Sequence, residues 1–261
     1  MFKTRLISGI VLVLIALLTI CTGNIVLFMT LLAVSLIGTQ ELYKAMKVRE
    51  ENFTLLEITG YIGIIGYYLC LLLAPEYQLM ELIGALVLLM FVYVFTFPKY
   101  HAEQIMAAMF GVLYVGVMLS FIYQTRCLDG GAYHVWLIFI SSWGCDTCAY
   151  WVGIMMGKHK MTPELSPKKT KEGAVGGILG AALLGAIYGA VTGGTVWAYA
   201  LICAVGGMIS MIGDLSASAI KRNQGIKDYG DLIPGHGGIL DRFDSVIFTA
   251  PNIYFLCVTL I

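Results

Sequence analysis

Charge is scarce in this sequence. Only 12% of its 261 residues are Asp, Glu, Lys or Arg, and their formal net charge is zero. A chain without an excess of positive charge gives no indication of a nucleic-acid partner. Polar residues are correspondingly few, since 59% of the chain is hydrophobic and the mean hydropathy is +0.85. These shortages argue against a soluble domain of this size.

The pattern of cysteines that is typical of a disulfide-linked or zinc-binding protein is also lacking. The seven cysteines are an odd number, and most lie within apolar runs. They therefore indicate small buried side chains rather than a disulfide framework. Cys145 and Cys148 have CxxC spacing, but no second pair accompanies them, so a structural zinc site is not expected.

The long hydrophobic runs predict an all-α integral membrane protein, a polytopic bundle of about nine transmembrane helices. Several runs of about 18 to 25 residues are long enough to cross a bilayer core of roughly 30 Å. The expected spans are 5–22, 24–46, 55–74, 79–97, 104–123, 132–156, 173–193, 195–220 and 243–261. Lys3 and Arg5 precede the first run, as in a signal peptide, but no clear cleavage site follows, and the run also serves as a retained span.

Basic residues predict the orientation of these spans. With nine spans, every basic residue except Arg126 falls on the same side as Lys3 and Arg5. Because positively charged loops stay cytoplasmic, the amino terminus and residues 214–244 are expected in the cytoplasm. An even number of spans would scramble this segregation. The expected location is the cell (inner or plasma) membrane, with the active site facing the cytoplasm.

The two halves of the chain differ in polar content. Residues 1–130 hold few ionisable groups inside the spans and are interpreted as scaffold, lipid contact or oligomer surface. Glu41 and Glu57 lie near helix ends there and are expected to be interfacial anchors. Residues 131–261 are predicted to carry a catalytic site at the cytoplasmic face.

Charge is concentrated in 214–244, which holds five aspartates, four basic residues, one histidine and a Pro-Gly-His-Gly-Gly turn. On a helix, Asp214, Ser218 and Lys221 share a face. Asp241 and Asp244, three residues apart, share another. Clustered carboxylates repel one another unless a cation neutralises them, and Mg²⁺ commonly takes one or two carboxylates plus substrate phosphates. The stretch indicates a divalent-metal site for a phosphorylated substrate; the alternative is a solvated loop whose acids and bases pair.

A second polar block precedes it. Asp146 lies in an otherwise apolar helix, where a carboxylate is by default a functional candidate; a hydrogen-bonded structural role is the alternative. Residues 157–173 carry five lysines, as an ordinary cytoplasmic loop does. Within them, 166–170 (Ser-Pro-Lys-Lys-Thr) is predicted to be a proline-fixed turn that gathers two ammonium groups and two hydroxyls for a phosphate chain.

These two blocks resemble phosphatidate cytidylyltransferases (CDP-diacylglycerol synthases). The first resemblance is carried by Ser218-x-x-Lys221-Arg222, Lys227-Asp228 and Pro234-x-His236-Gly237-Gly238-x-x-Asp241-Arg242-x-Asp244. The second is carried by Asp146-Thr-x-Ala149-Tyr150-x-x-Gly153, Gly157-Lys158, Ser166 to Thr170 and Glu172-Gly173. Lys171 departs from the pattern, since Trp is expected there in many members.

The resemblance implies that CTP and phosphatidate give CDP-diacylglycerol and pyrophosphate. Such a transfer needs positioning and charge neutralisation rather than a protein nucleophile. Mg²⁺ is the expected cofactor, and a second, monovalent cation such as K⁺ is compatible with so many carboxylates. The predicted metal ligands are Asp214, Asp241 and Asp244. These three, with Lys221, Arg242 and His236, form the predicted catalytic set; His236 either binds a phosphate or transfers a proton.

The predicted substrate-binding residues share a polar side chain or an exposed backbone N–H group. They are Asp146, Ser166, Lys168, Lys169, Thr170, Ser218, Arg222, Lys227, Asp228, Gly237 and Gly238. The family also implies a homodimer. The glycine faces in 173–194 allow one, although helix packing within one chain explains them equally well.

Several other functions are open from the residues alone. A transporter could use Asp146 and Asp214, but the ionisable residues cluster at one face and no inverted repeat is visible. Another CTP-dependent enzyme, such as a polyprenol kinase, would transfer the γ-phosphoryl group. A CDP-alcohol phosphatidyltransferase is expected to have a longer Asp-rich run than this chain contains. A non-catalytic scaffold gives no reason for the arrangement of charge.

Overall fold

Helices make up nearly all of the protein. A computed structural model describes residues 2–49, 53–235 and 237–261. Over these ranges the chain forms nine helices and one antiparallel hairpin. The helices are α1 (Phe2–Thr22), α2 (Asn24–Ala45), α3 (Leu55–Leu73), α4 (Gln78–Phe95), α5 (Ala102–Arg126), α6 (131–156), α7 (Lys171–Thr192), α8 (Val196–Asn223) and α9 (Leu240–Leu260). The hairpin joins β1 (Lys160–Thr162) to β2 (Ser166–Thr170).

The predicted polytopic all-α membrane fold is confirmed. Seven helices are long and apolar enough to cross a bilayer, namely α2 to α5 and α7 to α9. In α6 a π-helical segment, Ile140–Gly144, interrupts the α-helical hydrogen bonding, and α5 has a similar segment at Val112–Val117. The helices follow the predicted spans closely, with a largest difference of three residues, as at the start of α1. The cytoplasmic placement of the amino terminus stays a prediction.

The chain divides into two compact units. The first comprises Met1–Thr19, Ile25–Ser120 and Ile226–Arg242, and the second comprises Ile20–Asn24, Phe121–Gly225 and Phe243–Ile261. Residues 226–242, most of the loop before α9, therefore belong to the same unit as α2 to α4. The division by role at residue 130 stays a prediction.

A buried tyrosine organises the first unit. Tyr43 of α2 is fully buried, and its hydroxyl donates a hydrogen bond to the Ala108 carbonyl oxygen at 2.6 Å. A Cβ atom at Gly60 would lie 2.1 Å from the Tyr43 hydroxyl, and one at Gly111 would lie 2.4 Å from its ring. These two glycines leave room for the ring, so that α2, α3 and α5 pack around it.

Glu57 in the same unit is not the interfacial anchor that we expected. Its side chain is fully buried, and Oε1 accepts hydrogen bonds from Arg49 at 3.3 Å and from the Tyr61 hydroxyl at 2.6 Å. A carboxylate at a helix end can be bound inside the protein as well as at the membrane surface. Here the arginine and the tyrosine bind Oε1, while Oε2 is buried without a hydrogen-bond partner among the described residues.

Small residues allow close helix packing in the second unit. A Cβ atom at Gly180 would lie 2.5 Å from Cys148, so α7 approaches α6 closely there. A Cβ atom at Gly185 would lie 2.6 Å from the Tyr199 carbonyl oxygen of α8. The glycine faces therefore serve packing between helices of one chain, as the sequence indicated. A homodimer stays a prediction.

Candidate active site

Carboxylates from three helices and one lysine form a charged cluster in the second unit. Lys169 Nζ lies 2.5 Å from Asp214 Oδ2. Asp146 of α6 and Asp244 of α9 each lie within electrostatic reach of Asp214 of α8. Opposite charge on Lys221 also acts on Asp244. The structure thus brings together residues from both sequence blocks, with three carboxylates and two lysines that influence one another electrostatically.

Gly213 helps to bring two of these carboxylates together. A Cβ atom at Gly213 would lie 2.9 Å from the Asp244 carbonyl oxygen and 3.0 Å from the Phe248 Cβ. Its missing side chain lets the second-unit part of α9 approach α8 beside Asp214. Ser218, one turn further along α8, has its hydroxyl 3.5 Å from Asp214 Oδ1, at the long limit for a hydrogen bond.

The lysines of the second block lie on a strand rather than in a turn. The prediction of a proline-fixed turn at 166–170 was wrong: the reversal occurs at 163–165, and 166–170 forms β2. Pro167 is tolerated there because a two-stranded hairpin has only edge strands. Strand β2 pairs with β1 at Lys160 opposite Thr170 and at Thr162 opposite Ser166.

Both ends of the hairpin are tied to α7. The Thr170 hydroxyl caps this helix by accepting a hydrogen bond from the Gly173 N–H at 3.1 Å. Glu172 Oε2 accepts hydrogen bonds from the N–H groups of Lys158 and His159, and Oε1 lies 2.5 Å from His159 Nδ1. Thr170, a predicted substrate-binding residue, is therefore engaged as a helix cap. Glu172, which the sequence singled out only through the resemblance, fixes the start of the hairpin.

A cavity of about 440 Å³ lies between the hairpin and the helices of the second unit. Its polar lining comes from both sequence blocks: Asp146, Lys160, Lys168, Lys169, Thr170 and Asp214. Three ammonium groups and two carboxylates thus face one space. Lys160 was missed as a site residue because in the sequence it looks like any lysine of a positive loop.

The same cavity has an apolar wall. Tyr150 and Ile154 of α6 and Met161 of β1 contribute to its lining. Tyr150 is 64% exposed and Ile154 is 62% exposed, so the wall continues onto an open apolar surface of α6. A space that has charged and apolar lining residues beside an exposed apolar surface suits a ligand with a phosphate head and hydrocarbon chains.

The glycine-rich turn before α9 belongs to the first unit. The Ile233 N–H donates to the Gly237 carbonyl oxygen at 2.9 Å and closes the turn. Gly235 and Gly237 have positive φ angles of 78° and 85°, which a residue with a Cβ rarely adopts. His236 lies outside the described residues, so its predicted role stays a prediction.

Asp241 is held by this turn. It is only 5% exposed, and its Oδ2 accepts hydrogen bonds from the Tyr229 N–H at 2.8 Å and the Gly238 N–H at 3.0 Å. The carboxylate thus binds two backbone amides that lie nine residues apart in the sequence. Its predicted role as a metal ligand stays a prediction.

Glu41 of α2 contacts the segment that follows this turn, which its sequence position did not indicate. We expected an interfacial anchor, but the residue is buried, and its carboxylate accepts hydrogen bonds from the N–H groups of Ile239 and Leu240. No spacing pattern could have revealed the contact, because 198 residues separate Glu41 from Ile239.

The predicted site residues fall into both units. Those in the second unit are Asp146, Ser166, Lys168, Lys169, Thr170, Asp214, Ser218, Lys221, Arg222 and Asp244. Those in the first are Lys227, Asp228, Gly237, Gly238, Asp241 and Arg242. Within the second unit, the predictions that are brought to one cavity are Asp146, Lys168, Lys169, Thr170 and Asp214.

The carboxylates fit a magnesium ion only in part. In the described ranges no three His, Cys, Asp or Glu side chains are arranged to hold a metal. Magnesium often needs only one or two carboxylates, since water and substrate phosphates complete its shell. Asp214 and Asp244, which interact electrostatically, are the second-unit carboxylates predicted as its ligands, and Lys169 pairs with one oxygen of Asp214.

Comparison with known proteins agrees with both blocks. A model of the cytidylyltransferase family matches residues 3–260. Curated relatives named phosphatidate cytidylyltransferase include proteins of Staphylococcus epidermidis, 33% identical, Staphylococcus aureus, 31% identical, and Staphylococcus saprophyticus, 29% identical. Each comparison covers 98% of this chain and 99% of the relative.

Proposed function

Because the chain belongs to the cytidylyltransferase family, we propose that it is a phosphatidate cytidylyltransferase, the activity for which its staphylococcal relatives are named. It is a nucleotidyltransferase with CTP and phosphatidate as substrates. The observation that carries the assignment to a site is the second-unit cavity, which combines three lysines, two carboxylates and an apolar wall.

The reaction needs no covalent enzyme intermediate. A phosphate oxygen of phosphatidate attacks the α-phosphorus of CTP and forms a new P–O bond. The bond between the α-phosphorus and its bridging oxygen to the β-phosphate breaks, and pyrophosphate leaves with that electron pair. Two anions must approach each other, so the protein's contribution is to position them and to offset their charge.

The hairpin lysines are suited to that contribution. Lys160, Lys168 and Lys169 line the cavity and present ammonium groups, which bind phosphate oxygens through charge-assisted hydrogen bonds. Lys169 pairs with Asp214 through Nζ and Oδ2. On our proposal, a substrate phosphate replaces Asp214 as the partner of Lys169. Asp214 is then able to bind a cation.

Magnesium is the proposed cofactor, with Asp214 and Asp244 as its ligands in the second unit. A bound ion supplies positive charge to phosphate oxygens during the transfer. Asp241 as a further ligand and K⁺ as a second cation stay predictions from the sequence. Asp214 also holds the Lys169 ammonium group through their ion pair.

The apolar wall is proposed to accommodate the lipid. Tyr150 and Ile154 lie beside the charged lining and are largely exposed. Phosphatidate would place its phosphate among the lysines and its acyl chains along α6. The protein is a multi-pass membrane protein. We place the cavity at the cytoplasmic side of the cell membrane because basic residues segregate there by the positive-inside rule and CTP is a cytoplasmic nucleotide.

Transfer of label distinguishes this function from its alternatives. Purified protein is supplied with phosphatidate, Mg²⁺ and CTP labelled at the α-phosphate, and lipid-phase label and pyrophosphate are measured. Both should appear, and both should require Mg²⁺. Transfer from γ-labelled CTP to a lipid alcohol would instead identify a kinase. Folded protein that transfers neither label would contradict the proposal, and Asp214→Asn protein serves as the inactive control.

A further inference from the structure

Glu41 binds the start of α9 through both of its carboxylate oxygens. Oε1 accepts a hydrogen bond from the Ile239 N–H at 2.9 Å, and Oε2 accepts one from the Leu240 N–H at 2.8 Å. The first N–H groups of a helix have no acceptor within the helix. Here a side chain from another helix, α2, supplies the acceptors.

The surrounding backbone leaves room for this carboxylate. A Cβ atom at Gly238 would lie 2.4 Å from Glu41 Oε2, and a Cβ atom at Gly230 would lie 2.8 Å from Oε1. Glu41 is only 8% exposed. Burying a carboxylate costs free energy unless its oxygens are hydrogen-bonded, and in this position both are.

Two carboxylates hold three consecutive backbone amides. The Gly238 N–H donates to Asp241 Oδ2, and the next two N–H groups, of Ile239 and Leu240, donate to Glu41. Asp241 Oδ2 also accepts from the Tyr229 N–H. The backbone between Gly238 and Asp241 is therefore fixed from two sides, by its own helix and by α2.

We propose that Glu41 is a positioning residue for cytidylyl transfer. It fixes the 237–241 turn and, through that turn, the orientation of the Asp241 carboxylate and of the Gly237 and Gly238 amides. It does so from α2, without contact with substrate. This inference rests on the proposed function, because the turn contains residues predicted to bind substrate and metal.

The test compares two buried glutamates of the same unit. Glu41→Gln replaces one accepting oxygen by an NH₂ group, which cannot accept the second N–H. Glu57→Gln is the matched control, since Glu57 is also buried but bonds to Arg49 and Tyr61. For each protein, kcat and KM for CTP are measured with α-labelled CTP. Thermal stability and hydrogen exchange of the 229–241 segment are measured on the same samples.

Misplacement of reacting groups by a small distance costs up to about a hundredfold in rate. We therefore expect Glu41→Gln to lower kcat by about ten- to a hundredfold, to change KM for CTP much less and to speed exchange in 229–241. Glu57→Gln should lower thermal stability at least as much as Glu41→Gln does. It should leave kcat within about threefold of the wild-type value, because none of the contacts of Glu57 reaches the turn.

Unchanged kcat in folded Glu41→Gln protein would overturn the proposal. It would also be overturned if Glu41→Gln and Glu57→Gln lost the same stability and showed equal losses of kcat. If Glu41→Gln does not fold, Glu41→Asp keeps the charge but shortens the side chain by one methylene, and the same comparison applies. Wild-type protein without transfer would refute the proposed function itself, which is a different outcome from an active wild type that tolerates Glu41→Gln.

Discussion

Two aspartates of the same sequence block are held in opposite ways. Asp241, in the first unit, is 5% exposed and accepts two backbone N–H groups. Asp214, in the second unit, has a side chain that is 27% exposed and pairs with a lysine that is itself partly exposed. Backbone amides cannot leave their carboxylate without unfolding the turn, whereas a lysine can exchange it for a phosphate. Asp241 is therefore held in one conformation, whereas the partner of Asp214 is one that a phosphate could replace.

Asp214→Asn should give the largest loss of activity and the least loss of stability. A neutral amide neither pairs well with Lys169 nor holds a divalent cation, and we expect kcat/KM to fall by at least about a hundredfold. Loss of the partly buried ion pair is offset by relief of the repulsion between Asp214 and the carboxylates of Asp146 and Asp244, so unfolding should shift by no more than about 1 kcal/mol. Steady-state kinetics and thermal unfolding in the same detergent test both statements. Near-normal activity would remove Asp214 from the proposed metal site.

Asp241→Asn should combine lost turnover with lost stability. Asp241 is a predicted metal ligand, so turnover should fall here as well, though no further than in Asp214→Asn. The structure adds that Oδ2 binds two N–H groups, and an amide oxygen binds them less strongly than a charged carboxylate does. We expect a loss of stability of about 1–2 kcal/mol, in contrast to Asp214→Asn. Thermal unfolding of the two variants side by side measures the difference. Equal stabilities would show that the two aspartates are not held differently.

Lys169→Gln should have a smaller effect, which appears mainly in substrate binding. The variant removes one of three ammonium groups from the cavity, so KM for CTP or phosphatidate should rise and kcat/KM should fall by about ten- to a hundredfold. Lys171→Gln is the control, since Lys171 is exposed and does not line the cavity. Equal effects of the two substitutions would indicate a general influence of charge near the membrane rather than a site.

The membrane fold could be predicted from the sequence because each span is encoded locally. A run of apolar residues has to form a helix in a bilayer, whatever its neighbours do, since its backbone polar groups have no other partners there. Residues that share a face of one helix could also be predicted, because the helix itself brings them together. Asp214 and Ser218 are an example, since their side-chain oxygens lie 3.5 Å apart.

The rest of the site depends on contacts between distant segments. The contacts of Glu41 with Ile239 and of Lys169 with Asp214 leave no periodic trace in the sequence. Residues 166–170 were predicted as a turn because Pro167 is common in turns, but pairing with 160–162 makes them a strand. The proline at 167 was informative about the local backbone, but pairing with β1 across the hairpin determined the conformation of the segment.

Glu172→Gln should give the smallest effect and tests whether the hairpin is held as firmly as the glycine-rich turn. Glu172 accepts the N–H groups of Lys158 and His159 at a partly exposed position, where water competes for the same groups. The hairpin lysines should become less ordered, so KM for CTP should rise by about two- to fivefold with kcat nearly unchanged. Glu164→Gln, exposed at the hairpin reversal, is the control and should leave KM unaltered. A loss in kcat as large as that expected for Glu41→Gln would mean that the hairpin, like the turn, positions reacting groups rather than only binding them.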